Sequence, residues 1–136
     1  PDRAFEAATV GRHPGQARLL IARLRAPGGP DRGAWALDQL TALVDLFDRG
    51  MREPLPLYCA TSGAFAEAEA TGRDGISAAR AAWTSAWNFD REDRELEHQL
   101  VLGGVLGFDE LPGAAFAECA RRLWAGLLAA EELSVR

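Results

Sequence analysis

The chain has 136 residues, 48% of them apolar, which is the length of one domain with enough hydrophobic side chain to build a core. Its net charge of −5 argues against a free-standing nucleic-acid binder, because such domains carry a basic surplus. All fifteen basic residues are arginine, which excludes every mechanism that needs a lysine: the P-loop, Schiff-base chemistry, and the metal-dependent nucleases that pair two acids with a lysine.

The first predicted element is a hairpin. Residues 5–10 and 17–25 read as its arms, and Pro14 followed by Gly15 suits the centre of a type II turn. The run Leu19, Leu20, Ile21, Ala22 is continuously apolar, so the second arm is expected to be a central strand covered on both faces. Residues 26–30, with two prolines and two glycines, break regular structure. Asp31 is placed to cap a helix in which Leu40, Leu43, Val44 and Phe47 recur at helical spacing as the core face, with Gly50 as the stop. Pro54 and Pro56 push the residues before them out of the helical region, predicting an extended or strand segment over 55–58.

The rest is predicted to be helical. Thr61 or Ser62 is expected to cap a segment reaching Thr71 and Gly72, and Asp74 the next, where Ile76, Ala79, Trp83 and Trp87 form one core stripe. Residues 94–102 make a short amphipathic helix closed by Gly103 and Gly104. Pro112 opens a last helix with Phe116, Cys119, Ala120, Leu123 and Leu127 inward. Two strands cannot stand alone, so further strands are expected from residues 55–58 or from sequence outside this chain.

Charge is uneven along the chain. Residues 1–52 hold eight Arg against six acids, or +2, and residues 53–136 hold seven Arg against fourteen acids, or −7, so phosphate contacts are expected from the first part. Cys59 and Cys119 have no metal-ligand spacing and read as small buried residues. His13 and His98 lack further ligands nearby and read as exposed structural histidines, so neither a metal nor a cofactor is expected. The acids Asp90, Glu92, Asp93, Glu95 and Glu97 alternate with Arg91 and Arg94, which predicts a solvated face with local ion pairs. Arg52 is expected to brace Glu53 or nearby carbonyls after Gly50, or to reach a phosphate or a partner, with Arg49 beside it. No apolar run is long enough to span a membrane and no leader is evident, so a cytoplasmic location is expected.

The run from Asp45 to Tyr58, DLFDRGMREPLPLY, resembles a segment of the RecC family, the gamma subunit of exodeoxyribonuclease V. The flanks agree in order: an apolar strand and Pro/Gly break before it, then Ala/Trp segments such as 77–87, then the acidic stretch 90–97. The resemblance implies a degenerate restriction-endonuclease-like, PD-(D/E)xK nuclease-like fold: an α/β (α+β) domain with a small sheet, flanking helices and a helix-rich C-terminal part. In active relatives the strand matching 20–25 carries an acid and, two residues on, a lysine; the matching positions are Ala22 and Leu24, and methyl groups cannot bind magnesium. Gln39 resembles the glutamine that those relatives place on the next helix, although Leu43 stands where they have an aromatic residue.

The expectation is therefore a single domain over residues 1–136, a C-terminal fragment of a longer RecC-type chain, with no catalytic, metal or cofactor residue. Its parent complex would be an ATP-dependent exodeoxyribonuclease acting in double-strand-break repair by recombination. The resemblance implies RecB-type and RecD-type partners, DNA within the whole complex and no membrane. Arg23, Arg25, Arg49, Arg52 and Glu53 are the candidate contacts. A stand-alone hydrolase or transferase using Cys59 or His98, or a generic helical interaction module, are the alternatives.

Overall fold

The computed structural model describes residues 6–13, 15–25, 28–84, 91–111 and 113–136. In chain order the elements are β1 (Glu6–Arg12), β2 (Leu19–Arg25), α1 (Arg32–Gly50), α2 (Cys59–Ala70), α3 (Gly75–Trp83), α4 (Leu96–Leu102), α5 (Gly113–Ala130) and β3 (Glu131–Val135), with short 3-10 turns at Glu92–Arg94 and Phe108–Glu110. The class is α+β, with one three-stranded antiparallel sheet. Two compact units are present, Pro1–Thr41 with Gly126–Arg136, and Ala42–Ala125.

The first unit holds the sheet, in the order β1-β2-β3. The hairpin is paired in register from Glu6 opposite Arg25 to Arg12 opposite Leu19. His13 helps close it: its Nδ1 accepts from the Gly15 amide at 3.1 Å, and its own amide donates to the Arg18 carbonyl at 2.9 Å. The proposed turn type falls on Pro14, outside the described residues. β2 is central, as its apolar run predicts, but it is only half-buried. Its second neighbour is β3, which follows α5 without a break, pairs Leu20 with Val135, and was not foreseen. Residues 55–58 supply no strand; the Leu57 amide donates to the Leu55 carbonyl at 2.8 Å in a tight turn, and Tyr58 is extended just before α2.

The second unit is helical. Its core is built from Tyr58, Phe65, Ala79, Trp83, Phe116, Cys119 and Ala120. Aromatic rings dominate the contacts: Tyr58 meets Trp83 at 4.7 Å between centroids, and Phe65 meets Phe116 edge-on at 5.5 Å. Asp74 caps α3 as expected, accepting from the amides of Ile76 and Ser77 at 3.0 and 3.3 Å. Ala79 and Trp83 of the predicted stripe are buried, Ile76 is largely exposed, and Trp87 lies outside the described residues. Gly103 takes φ 79° at the end of α4, a left-handed turn that glycine adopts without steric cost.

Helix α1 departs most from the sequence reading. Leu40, Leu43, Val44 and Phe47 all face solvent, and Leu46 is its one buried residue. Within the second unit, the opposite side of α1 meets α5 through Asp45 with Arg122 at 3.2 Å and Arg49 with Glu118 at 3.9 Å. Helical spacing identifies an apolar stripe but not which stripe is covered; here a single leucine among ion pairs is enough for one face. Gly50 is the last residue of α1 rather than a stop beyond it, since Met51 still donates to the Phe47 carbonyl at 3.0 Å.

Candidate functional site

Alternate residues of β2 point to the same face of the sheet. Leu20, Ala22 and Leu24 share one face, with Ala22 between Thr9 and Leu133 and Leu24 between Ala7 and Glu131. At Ala22 and Leu24 the face is aliphatic, with one cross-strand carboxylate at Glu131. Among the described residues no group of three or more His, Cys, Asp or Glu could hold a metal ion. Gln39 lies against Gly126, with the end of its side chain in the space a Cβ at that glycine would take. Gln39 thereby has a packing role.

Arg23 and Arg25 lie on the other face of β2, held by carboxylates of the neighbouring strands. Arg23 reaches Glu6 at 3.3 Å, and Arg25 reaches Glu6 at 3.0 Å and Glu132 at 3.2 Å. These are exposed pairs worth little to stability, and a phosphate would have to displace them. In the second unit it is Arg49, not Arg52, that braces Glu53, at 3.3 Å. Among the described residues Arg52 is exposed with no side-chain partner, which leaves it the more available of the two cations. Of the five candidate contacts, Arg23 and Arg25 belong to the first unit and Arg49, Arg52 and Glu53 to the second.

The acidic segment is where the sequence reading fails most instructively. Glu92 and Asp93 are buried rather than solvated, Glu92 being 4% exposed. Asp93 is paired with Arg91 at 2.7 Å, as local charge alternation predicts. Glu92 instead accepts from the Ala60 amide at 2.7 Å with Oε1 and from the Thr61 amide at 2.7 Å with Oε2. The α2 N-cap residue, Tyr58, contributes no side-chain bond, so a carboxylate from 31 residues away satisfies the helix start. Thr61 and Ser62, expected as caps, lie inside the helix and are buried. Thr61 Oγ1 has no hydrogen-bond partner among the described residues. Thr61→Val keeps the shape and removes an unsatisfied hydroxyl, so it should raise stability by about 1 kcal/mol in urea denaturation.

His98 completes this cluster. It is half-buried rather than exposed, its Nδ1 is 3.0 Å from the Glu92 carbonyl and 3.2 Å from Glu95, and its ring meets Tyr58 edge-on at 5.0 Å. Burial, and secondarily the charge of Glu92, push the Tyr58 phenol above its ordinary value. Cys119 is buried as expected, but Cys59 is exposed at the start of α2. His98 is held by packing and by the Glu92–Glu95 segment, an arrangement suited to joining that segment to α2.

A family model described as the RecC C-terminal domain matches residues 12–70. The RecBCD enzyme subunit RecC of Mycolicibacterium smegmatis is 36% identical over 145 aligned positions, covering 96% of this chain and 12% of that protein. The RecBCD enzyme subunit RecC of Mycobacterium tuberculosis is 34% identical over 143, again covering 96% of this chain and 12% of its own length. This chain therefore spans about an eighth of those relatives. No solved structure matches it. With a family model over residues 12–70 and relatives aligned along nearly all its length, the chain is similar to the C-terminal domain of the RecC family.

Proposed function

We propose that this domain is a degenerate nuclease-like module that has no cutting activity of its own and supplies assembly surface and strand handling within a RecBCD-type helicase–nuclease. It would act as one C-terminal domain of a longer RecC-type polypeptide, in the cytoplasm, in repair of double-strand breaks by recombination. RecB-type and RecD-type subunits are its partners in this reading, and DNA meets it in the assembled complex. One observation supports the non-catalytic part: Ala22 and Leu24, which the resemblance matches to an acid and a lysine of active relatives, are aliphatic, and the chain has no lysine to substitute from elsewhere. Without a carboxylate cluster and a cation, neither a metal-bound water nor a developing negative charge would be stabilised.

Purified chain incubated with magnesium and linear DNA is expected to leave the DNA intact over hours. Reproducible cleavage that disappears on replacing any one of its acids would overturn the reading. For assembly, Arg49→Ala combined with Arg52→Ala in the parent subunit should weaken its retention of partners or of DNA. Unchanged pull-down and DNA binding would return both arginines to a local structural role.

A further inference from the structure

β1 is an edge strand, and among the described residues nothing pairs with its outer side. Successive residues of a strand turn their backbone groups alternately to one neighbour and to the other. The His13 amide donates across the hairpin to the Arg18 carbonyl, and Leu19 and Arg136 exchange both of their backbone bonds, so the odd-numbered residues of β1 face β2. The amides and carbonyls of Glu6, Ala8, Val10 and Arg12 therefore point out of the sheet. Every residue of β1 is exposed, and residues 7–11 contain neither a charge nor a proline, two features that keep an edge strand from accepting another strand.

The sequence of this edge complements itself. A second β1 laid antiparallel about a two-fold axis at Thr9 opposes Glu6 to Arg12, Ala7 to Gly11 and Ala8 to Val10 over the full length of the strand. In this register outward-pointing residues meet outward-pointing residues, so each such pair can exchange both N–H···O bonds. Thr9 meets Thr9 of the second copy at a closely spaced, non-bonded position, and the small pair Ala7 and Gly11 leaves room on the same face. Glu6 of each copy faces Arg12 of the other. Arg12 is exposed and has no side-chain partner among the described residues. Glu6 is held in place by Arg23 at 3.3 Å and Arg25 at 3.0 Å, one on each carboxylate oxygen, and each oxygen keeps a lone pair for a further donor.

Other pairings lack this match. The same two-fold operation on β3, about Leu133, opposes Glu131 to Val135 and Glu132 to Ser134, leaving both acids without a cation. Parallel pairing of two β1 strands in register sets Glu6 against Glu6 and Arg12 against Arg12, which is repulsive. We propose that β1 is a self-complementary edge through which two copies of this chain pair into one continuous antiparallel sheet, with Thr9 on the two-fold axis and a Glu6–Arg12 ion pair at each end. The two-fold contact is closed, so it stops at two copies. The proposal concerns the first unit alone and is independent of the assembly reading above.

Sedimentation equilibrium of the purified chain should show its mass rising with concentration from one chain toward two, with a Kd on the order of 100 µM, the weak class that so small a contact gives. Hydrogen exchange locates the contact: the outward amides of Ala8 and Val10 should gain protection as concentration rises, whereas those of Ala7 and Thr9, already directed at β2, should not change. Val10→Pro removes an outward N–H that β2 does not use, so it should raise Kd about tenfold or more while the circular dichroism spectrum is kept. Arg12→Glu sets acid against acid and Glu6→Arg sets cation against cation, so each variant alone should associate about tenfold more weakly or worse. Mixed together, those two variants oppose only unlike charges, and association should return to about the parent strength.

That rescue distinguishes a lost contact from a damaged fold, because a misfolded chain would not recover on mixing. A chain that stays monomeric up to about 1 mM would overturn the proposal. So would association without protection at Ala8 and Val10, masses that grow past two chains, or mixed variants that remain apart.

Discussion

Trp83→Ala should destabilise the second unit by about 3–5 kcal/mol, the largest effect expected of any single substitution in this chain. The side chain is fully buried, its ring lies 4.7 Å from Tyr58, and its Nε1 donates to the Leu106 carbonyl at 3.0 Å. Three losses coincide in alanine: the transfer free energy of the indole, the contacts around the resulting cavity, and the hydrogen bond that ties α3 to the segment before the Phe108–Glu110 turn. α3 has nine residues, too few to hold a helix by propensity, so its formation depends on this burial. Trp83→Phe separates the terms: it retains most of the apolar surface and gives up the N–H donor, so its cost should be about 1–2 kcal/mol. Urea denaturation followed by far-ultraviolet circular dichroism measures both. An alanine variant within about 0.5 kcal/mol of the parent chain would mean that Trp83 is not the centre of this core.

The elements that were legible in the sequence are those whose signals are local. Asp74 caps α3 because an Asp followed by an apolar helical stripe needs only its own next three residues to act. The hairpin and the central place of β2 follow from a continuous apolar run beside a Gly/Pro turn. β3 was hidden because residues 131–135 follow an eighteen-residue helix without a turn residue to announce a change, and their alternation of Leu133 and Val135 is too short to stand out. The exposure of α1 was hidden for a different reason: Leu46 and the Val44–Phe47 stripe are comparably apolar, and only packing decides which is covered.

That β2 carries aliphatic residues at Ala22 and Leu24 could be read from the sequence, because it is a matter of residue type alone. The role of Glu92 could not. It depends on a contact across 31 residues, and in sequence it is one acid among five alternating with arginines. One local cue was present: neither Tyr58 nor Cys59 can cap a helix well, so α2 needed an acceptor from elsewhere.

That dependence makes Glu92 the second large prediction. Its carboxylate is 4% exposed, and among the described residues no cation is paired with it; its compensation comes from the Ala60 and Thr61 amides and the positive end of α2. Glu92→Ala would leave two amides at the α2 start without acceptors and remove the tie between α2 and the segment leading into α4, a loss of about 2–4 kcal/mol. Glu92→Gln should cost less, about 1–3 kcal/mol, because one carboxamide oxygen can still accept while its NH2 opposes the other amide. Hydrogen exchange gives the localised readout: protection of the Ala60 and Thr61 amides should fall in both variants before that of the α5 core around Cys119. Tyr58, the one tyrosine in the chain, gives an independent readout through its phenolate absorbance. Its ionisation is raised above 10.0 by burial first and by Glu92 second, so Glu92→Gln should bring it part of the way down, provided the fold persists. The sign for stability follows: the folded state holds the phenolic proton more tightly, so this contribution is intact below about pH 10 and is lost as pH rises through the raised folded value. Unchanged exchange at Ala60 and Thr61 in Glu92→Ala would show that the α2 start is satisfied without this carboxylate.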